Sequence, residues 1–154
     1  MAIQKILIAF NFTHLDQKAI DFVTSTFAHL DGLEITFFHA YTPVPEIETQ
    51  ASEVTGKLKS SLGYLSQQIM QREIELEEIT KKLSENELSG SQMHTIFRPP
   101  KKDFASEIIN LYREMNFDVI VLNHKSARVT RFFSGSVSHK VLMAIKETTV
   151  CIVS

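Results

Sequence analysis

Short, continuous apolar runs are the feature that most constrains how this chain folds. Three are strong, KILIAF (5–10), LEITFFHA (33–40) and FDVIVLN (117–123), and two weaker runs rich in β-branched residues lie at 93–99 and 148–154. Unbroken rather than alternating apolarity is typical of parallel strands that helices cover on both faces. The runs therefore predict five parallel strands between two layers of helices.

Segments with the helical spacing of apolar residues separate these runs. Thr13, followed three residues later by Asp16, predicts the cap of a first helix, and Asp103 lies near the start of a third. A fourth helix follows, and its apolar face is predicted to contain Val137, Val141, Leu142 and Ile145. Alternating strands and helices with right-handed crossovers predict one α/β domain over residues 1–154. We expect a doubly wound, Rossmann-like three-layer sandwich with strand order 3-2-1-4-5.

The second helix, predicted over residues 52–84, carries a heptad stripe. Its members are Leu58, Leu62, Leu65, Ile69, Leu76, Ile79 and Leu83, with Arg72 as the polar member. A helix of this length runs roughly 50 Å, whereas a strand covers only about 20 Å, so the helix must overhang the sheet or break. One interpretation is that its first half covers the sheet and the rest is a solvated, charged extension. The alternative is that the stripe past Ile69 packs on another chain.

Composition restricts the classes of partner. The chain has 16 Lys and Arg residues against 18 Asp and Glu residues, a formal net charge of −2, whereas nucleic-acid and anionic-membrane surfaces carry a strong basic excess. No apolar run approaches the roughly 18 residues that span a bilayer. The single cysteine, Cys151, is predicted to be mostly buried as a small hydrophobe. We expect a cytoplasmic protein with no nucleic-acid or membrane partner.

Ligands of open parallel sheets bind beyond the carboxyl ends of the strands, where the strand order reverses. In this chain that point is predicted between the first and fourth strands. The residues expected there, as a candidate nucleotide pocket, are Asn11, Thr13, Ala40, Asn123, Lys125, Gly135, Ser136 and Val137.

Gly135 and Ser136 open the last helix, where free backbone N–H groups and the helix dipole favour an anion, and Lys125 adds charge. The alternative is an ordinary helix cap beside a solvated loop. The six histidines show no metal-ligand spacing, and no Ser-His-Asp or Cys-His arrangement can be assembled. The sequence therefore predicts neither a metal site nor a catalytic site.

Four stretches resemble universal stress proteins of the UspA type over nearly the whole chain: KILIAFNFTHLDQKAIDF, FFHAYTP, FDVIVLNHK and FFSGSVSHKVLMAIKETTVCIVS. The resemblance implies the fold expected above. The ATP-binding branch of that family carries Gly-x-x-Gly, nine residues, then Gly-Ser or Gly-Thr after the fourth strand, and an acid at the end of the first.

This chain keeps Gly135 and Ser136, but the two earlier glycines fall on Leu122 and Lys125 and the acid falls on Asn11. Glycine lets the backbone approach phosphates closely, so we expect the leucine and lysine side chains to occupy the phosphate space. The resemblance then implies a non-enzymatic stress-response binding protein with a degenerate nucleotide pocket and no certain cofactor.

Two alternatives stay open. One is a retained ATP site in which Lys125 replaces the backbone donors, and the other is an adaptor that binds a protein partner through the helix over 52–84. The resemblance also implies a homodimer formed through the C-terminal strand, 148–154, whose apolar edge favours pairing with its own copy.

Overall fold

The computed structural model describes residues 3–44, 53–123 and 137–154. Within these ranges the chain forms five strands and four helices: β1 (Lys5–Ala9), α1 (Leu15–Phe27), β2 (Glu34–Ala40), α2 (Glu53–Glu85), β3 (Gln92–Arg98), α3 (Phe104–Met115), β4 (Val119–Asn123), α4 (Val137–Ala144) and β5 (Thr149–Val153). The strands form one sheet in the order β3-β2-β1-β4-β5, and every neighbouring pair is parallel. The predicted fold class and strand order are confirmed.

Two apolar clusters fill the space between the sheet and its helices. Successive strand residues point to opposite faces, so Ile6 and Ile8 of β1 pack with α1 and α2, whereas Leu7 packs with α3 and α4. All three of these side chains are at most 1% exposed. Both faces of the sheet are therefore covered, which is why the strand sequences are apolar at successive positions.

The last helix and the last strand are less buried than their sequences predict. Val141 and Ile145 are buried, but Leu142 is 46% exposed, so its predicted place on the apolar face is wrong. α4 is short and covers the margin of the sheet, so only a narrow side of it meets the core. Cys151 is half-buried rather than mostly buried, because β5 is an edge strand. This partial burial raises the pKa of the Cys151 thiol.

The burial of α2 is the reverse of the first interpretation. Its second half packs on the sheet, where Leu76 and Leu83 are buried and Ile79 is partly buried. In its first half, Tyr64 is 61% exposed and Leu65 is 43% exposed. α2 leaves the carboxyl end of β2 and must reach the amino end of the parallel strand β3. Its end therefore lies on the sheet, and its beginning extends past the carboxyl edge.

This arrangement also contradicts the alternative that the stripe past Ile69 packs on another chain. Leu76, Ile79 and Leu83 lie in the same cluster as Ile6 and Ile35 of the sheet. The chain's own core covers them, so they cannot form an adaptor surface in the folded protein.

Among the polar side chains, His39 of β2 is buried to 6% exposure. Its Nδ1 lies 2.7 Å from the Phe10 carbonyl oxygen. Because a carbonyl oxygen only accepts, Nδ1 carries the hydrogen and Nε2 is left as an acceptor. Burial lowers the pKa of His39 below 6.5; the Phe10 carbonyl opposes this shift and the Arg72 charge adds to it. The folded protein therefore favours the neutral imidazole.

Replacing Leu76 by Ala is expected to lower the free energy of unfolding by about 2–5 kcal/mol, because it leaves a cavity in a packed core. The matched change Leu65→Ala, on the same heptad stripe, is expected to change it by no more than about 0.5 kcal/mol. Urea denaturation of both variants measures the difference. Equal losses would show that the first half of α2 packs on the core as tightly as the second.

The burial of His39 predicts a pH dependence of stability. Since the pKa of His39 is lower in the folded state than in the unfolded chain, the unfolded chain binds more protons below pH of about 6.5. The free energy of unfolding should therefore fall as pH drops below that value, towards the folded pKa. Urea denaturation between about pH 5 and 8 should show this slope in the wild type and in His29→Gln, which changes an exposed histidine, but a shallower slope in His39→Gln.

Candidate functional site

The candidate site is the gap between β1 and β4 at the carboxyl edge of the sheet. The chain leaves β1 through residues 10–14 to reach α1 on one face, and leaves β4 towards α4 on the other. Neighbouring connections that diverge in this way open a crevice, which is where ligands of such sheets bind. Asn11 and Asn123 lie on either side of the gap.

A buried carboxylate joins the two sides. Asp16 of α1 is 3% exposed, and its Oδ1 accepts hydrogen bonds from the Asn11 backbone N–H at 3.0 Å and from Asn123 Nδ2 at 2.6 Å. Its Oδ2 accepts from the Thr13 backbone N–H at 2.6 Å. Asn11 Nδ2 in turn donates to Asn123 Oδ1 at 2.8 Å. We call these three side chains, Asn11, Asp16 and Asn123, the amide–carboxylate floor.

The turn between β1 and α1 aims its N–H groups at this carboxylate. Phe12 has a φ of 57°, a left-handed conformation that is uncommon for a bulky residue and persists only where the surroundings hold it. The Thr13 hydroxyl accepts from the Leu15 N–H at 3.3 Å, while Asp16 accepts from Thr13. Thr13 and Asp16 therefore interact at the start of α1, but the predicted cap is wrong in its position, because the N-cap residue is His14 and its side chain makes no cap hydrogen bond. The sequence also did not indicate that Asp16 reaches β4.

An aromatic cluster lies beside the floor on the α1 and α2 face; its members are Phe10, Phe12, His39, Tyr41 and Phe97. The Phe12 ring meets the His39 ring edge-on, with 4.7 Å between centroids, and the Phe97 ring centroid lies 5.1 Å from that of His39. The Arg72 guanidinium lies 5.5 Å from the centroid of Phe12, within cation–π range. His39 Nε2 is buried and has no hydrogen-bond partner in the described part of the chain.

The structure brings only part of the predicted pocket together. Asn11, Thr13 and Asn123 meet through Asp16, whereas Ala40 and Val137 are half-buried against the apolar cluster of α3 and α4. The remaining predicted positions, Lys125, Gly135 and Ser136, lie outside the described residues.

Leu122 requires a correction. Its side chain is 2% exposed and packs in the α3 and α4 cluster, so it does not enter the space expected for phosphates. The strand alternation turns this residue into the core. Any steric argument against phosphate binding at this position is therefore wrong, and the one at Lys125 falls outside the described residues.

A second polar group lies at the end of β3, and the sequence did not indicate it. Glu107 of α3 is 3% exposed and accepts hydrogen bonds from Arg98 Nη2 and from the Lys101 backbone N–H, both at 3.0 Å. Asn110 and Glu114 line the small cavity beside it. Because Arg98 pairs with Glu107, this group fixes the β3–α3 loop. The sequence signal for this polar group is limited to Arg-Pro-Pro-Lys at the end of a predicted strand, followed by a Glu on the next predicted helix.

The described residues hold neither a metal-binding cluster nor a helix that could span a membrane. Across 3–44, 53–123 and 137–154, no group of three or more His, Cys, Asp and Glu side chains is placed to hold a metal ion. None of the helices in these ranges is long and apolar enough to cross a membrane.

Three solved structures illustrate what this fold is similar to. The hypothetical protein MJ0577 superposes with a TM-score of 0.65 at 19% identity, covering 97% of this chain and 94% of that one. Universal stress protein UspA from Lactobacillus plantarum gives 0.63 at 12% identity, and the universal stress protein from Archaeoglobus fulgidus in complex with dAMP gives 0.56 at 16%, each covering 100% of both chains. At these identities the likeness shows the fold alone.

Sequence comparison gives the family. No curated protein matches the chain significantly, but the profile of the universal stress protein family matches residues 2–152. This match spans nearly the whole sequence and agrees with the strand order and with the solved structures. The chain belongs to the universal stress protein family.

Proposed function

We propose that this universal stress protein is a non-enzymatic stress-response binding protein whose nucleotide pocket is degenerate. The observation that carries the proposal is the amide–carboxylate floor. Asn123 donates to Asp16 and accepts from Asn11, so both functional groups of its amide are already engaged within the protein. A base edge entering the gap would have to compete with these bonds or use the groups that they leave free, namely the Asn11 carbonyl oxygen and the second N–H of each amide.

The cost of reopening the floor supports this proposal. A hydrogen bond to a charged group contributes about 1.5–3 kcal/mol to stability, and Asp16 is buried, so removing the Asn123 donor leaves the carboxylate less well paired. A ligand has to replace that donor before it gains any binding energy. Asn11 also stands where the ATP-binding branch has an acid, as the resemblance implies, and its amide is turned towards Asn123.

The proposal that the protein is not an enzyme rests on the titratable groups near the gap. A general base must lie within hydrogen-bond reach of the proton that it removes. Asp16 is buried and accepts from three donors, and His39 is enclosed by aromatic rings. Neither is presented to a substrate in the described structure.

Nucleotide binding is the second candidate, favoured by the solved Archaeoglobus fulgidus relative in complex with dAMP. In this chain the site would comprise the predicted pocket, with the floor at its base and Lys125, Gly135 and Ser136 on the phosphates. ATP is then the ligand that the family resemblance implies, and binding requires Asn123 to exchange its partner for the base.

The two candidates differ in a thermal unfolding experiment with ATP and Mg²⁺, or with dAMP, at millimolar concentration. We expect the Tm to stay unchanged, whereas a ligand at 100 times its Kd stabilises a protein by about 2.7 kcal/mol. The dAMP-binding relative is the positive control for the assay. If the wild type is stabilised and Asn123→Ala is not, the pocket is functional and the nucleotide-binding candidate replaces the proposal.

We also propose that residues 1–154 act as a single cytoplasmic domain that forms a homodimer through β5. All five strands belong to one sheet, and the lone cysteine suits a reducing compartment. Three exposed apolar side chains lie on α4 and β5: Leu142 at 46%, Met143 at 65% and Ile152 at 42%. The Thr149 N–H donates to the Asp118 carbonyl, so strand alternation turns the Val150 and Ile152 N–H groups to the free edge, where a second copy can accept them.

Ile152→Pro tests this edge directly. Proline removes a backbone N–H that faces away from β4, so the variant should fold but should lose strand pairing with a second copy. Ile152→Ala, which shortens the same side chain and keeps the N–H, is the control. Sedimentation equilibrium should show a dissociation constant raised at least about tenfold for Pro relative to Ala. The same dissociation constant for both variants would place the dimer contact elsewhere.

A further inference from the structure

The buried imidazole of His39 has one nitrogen without a partner. Nδ1 donates to the Phe10 carbonyl oxygen at 2.7 Å, whereas Nε2 has no hydrogen-bond partner in the described part of the chain. While the ring is neutral, Nε2 is an unused acceptor, which costs a moderate amount of free energy. A proton on Nε2 turns it into a charged donor, and a buried charge without a partner is much more costly.

The surroundings of His39 provide no acceptor for that proton. The charged and titratable groups on the elements packed against it are Asp16 of α1, Arg72 of α2 and Tyr41 after β2. Burial is the largest cause that lowers the pKa of His39, and the Phe10 carbonyl is the largest that raises it; Arg72 lowers it further, and Asp16 raises it by less. Tyr41 stacks on Phe97, with 5.0 Å between ring centroids.

Phe12 is the part of this enclosure that is held least firmly. Phe97 belongs to β3, where it pairs with His39 in the parallel ladder. Phe12 lies in a turn, is half-buried and has a φ of 57°, a conformation that persists only while its surroundings hold it. Its ring meets His39 edge-on and lies under the Arg72 guanidinium. Water that reaches the His39 ring is therefore expected to displace Phe12 rather than Phe97.

The Phe12 ring cannot leave without disturbing its neighbours in sequence. Asn11 and Thr13 donate their backbone N–H groups to Asp16 at 3.0 and 2.6 Å. We propose that His39 is a pH switch: a proton on Nε2 displaces the Phe12 ring, and the turn then releases Asp16 and opens the amide–carboxylate floor. The switch acts within the chain itself, whether or not a nucleotide binds in the gap.

The switch opens as pH falls. In the open form water solvates the imidazolium, so the pKa of His39 lies closer to its ordinary value of 6.5 than in the closed form, where burial lowers it. The open form therefore binds the proton more tightly, and the free energy of opening decreases as pH drops below about 6.5. Above that value the ring is neutral in both forms, so pH has no effect through this residue.

Amide hydrogen exchange measured by NMR reads this opening at single residues. Between about pH 7.5 and 5, the protection factors of the Asn11 and Thr13 amides should fall at least about tenfold. The fall should begin near pH 6.5, the ordinary pKa of the ring, and level off where the ring-proton shifts show that His39 is protonated. Protection factors are used because they remove the intrinsic pH dependence of exchange.

The chain contains its own control for this experiment. The Gln4 and Lys5 amides both donate to Asp118 Oδ2 at 2.9 Å, so they too are held by a carboxylate, but at the amino edge of the sheet. Their protection factors should change by less than about twofold over the same range.

Two variants assign the change to one ring. His39→Gln has no titrating ring at this position, so the Asn11 and Thr13 protection factors should become independent of pH. His29→Gln changes an exposed histidine and should keep the full wild-type fall. If His39→Gln does not fold, the ring titration of the wild type decides.

Three results would overturn the proposal. A fall that persists in His39→Gln would mean that another group, such as Asp16, takes up the proton. An equal fall at Gln4 and Lys5 would mean that acid loosens the whole sheet. A His39 ring that stays neutral until the protein unfolds would mean that the closed form never opens through this residue.

Discussion

One buried carboxylate fixes the carboxyl edge of this sheet. Asp16 receives hydrogen bonds from the turn after β1 and from the side chain at the end of β4, so it joins the ends of the two strands beyond which a ligand would lie. A buried charge is tolerated only when it is well hydrogen-bonded, and each of these donors has that role. The start of α1, the left-handed turn at Phe12 and the floor of the gap are therefore one interdependent unit.

The same edge determines what α2 exposes. Phe12 contacts Phe10 and His39 within the aromatic cluster and lies under the Arg72 guanidinium, which ties the β1–α1 turn to α2 at the point where that helix leaves the sheet. Before this point Leu65 is exposed and Leu62 and Ile69 are half-buried, whereas beyond it Leu76 and Leu83 belong to the core. A parallel sheet of short strands cannot cover a helix of 33 residues, so part of the stripe needs another partner or remains exposed.

The sequence predicted the fold closely, because apolar continuity and alternation are local patterns that parallel topology forces. The strand bounds differ from the apolar runs by only a residue or two at each end. Contacts between residues far apart in the sequence were harder to predict. Asp16 and Asn123 are 107 residues apart, and no spacing rule connects them. The burial of α2 was predicted the wrong way round because a heptad repeat marks a face but not which half of that face meets the sheet.

Leu122 changes the physical basis of the degenerate-pocket proposal. Compared with the glycine motif of the ATP-binding branch, a leucine at this position looks like an obstruction to phosphate binding. Strand alternation, however, buries the Leu122 side chain in the core, so this side chain does not block a phosphate. What remains is hydrogen bonding. In our proposal, a base edge at the floor has to compete with the bonds that Asn123 makes to Asp16 and Asn11. This competition, rather than a steric block, weakens nucleotide binding, because it leaves a base only the Asn11 carbonyl oxygen and the second N–H of each of the two amides.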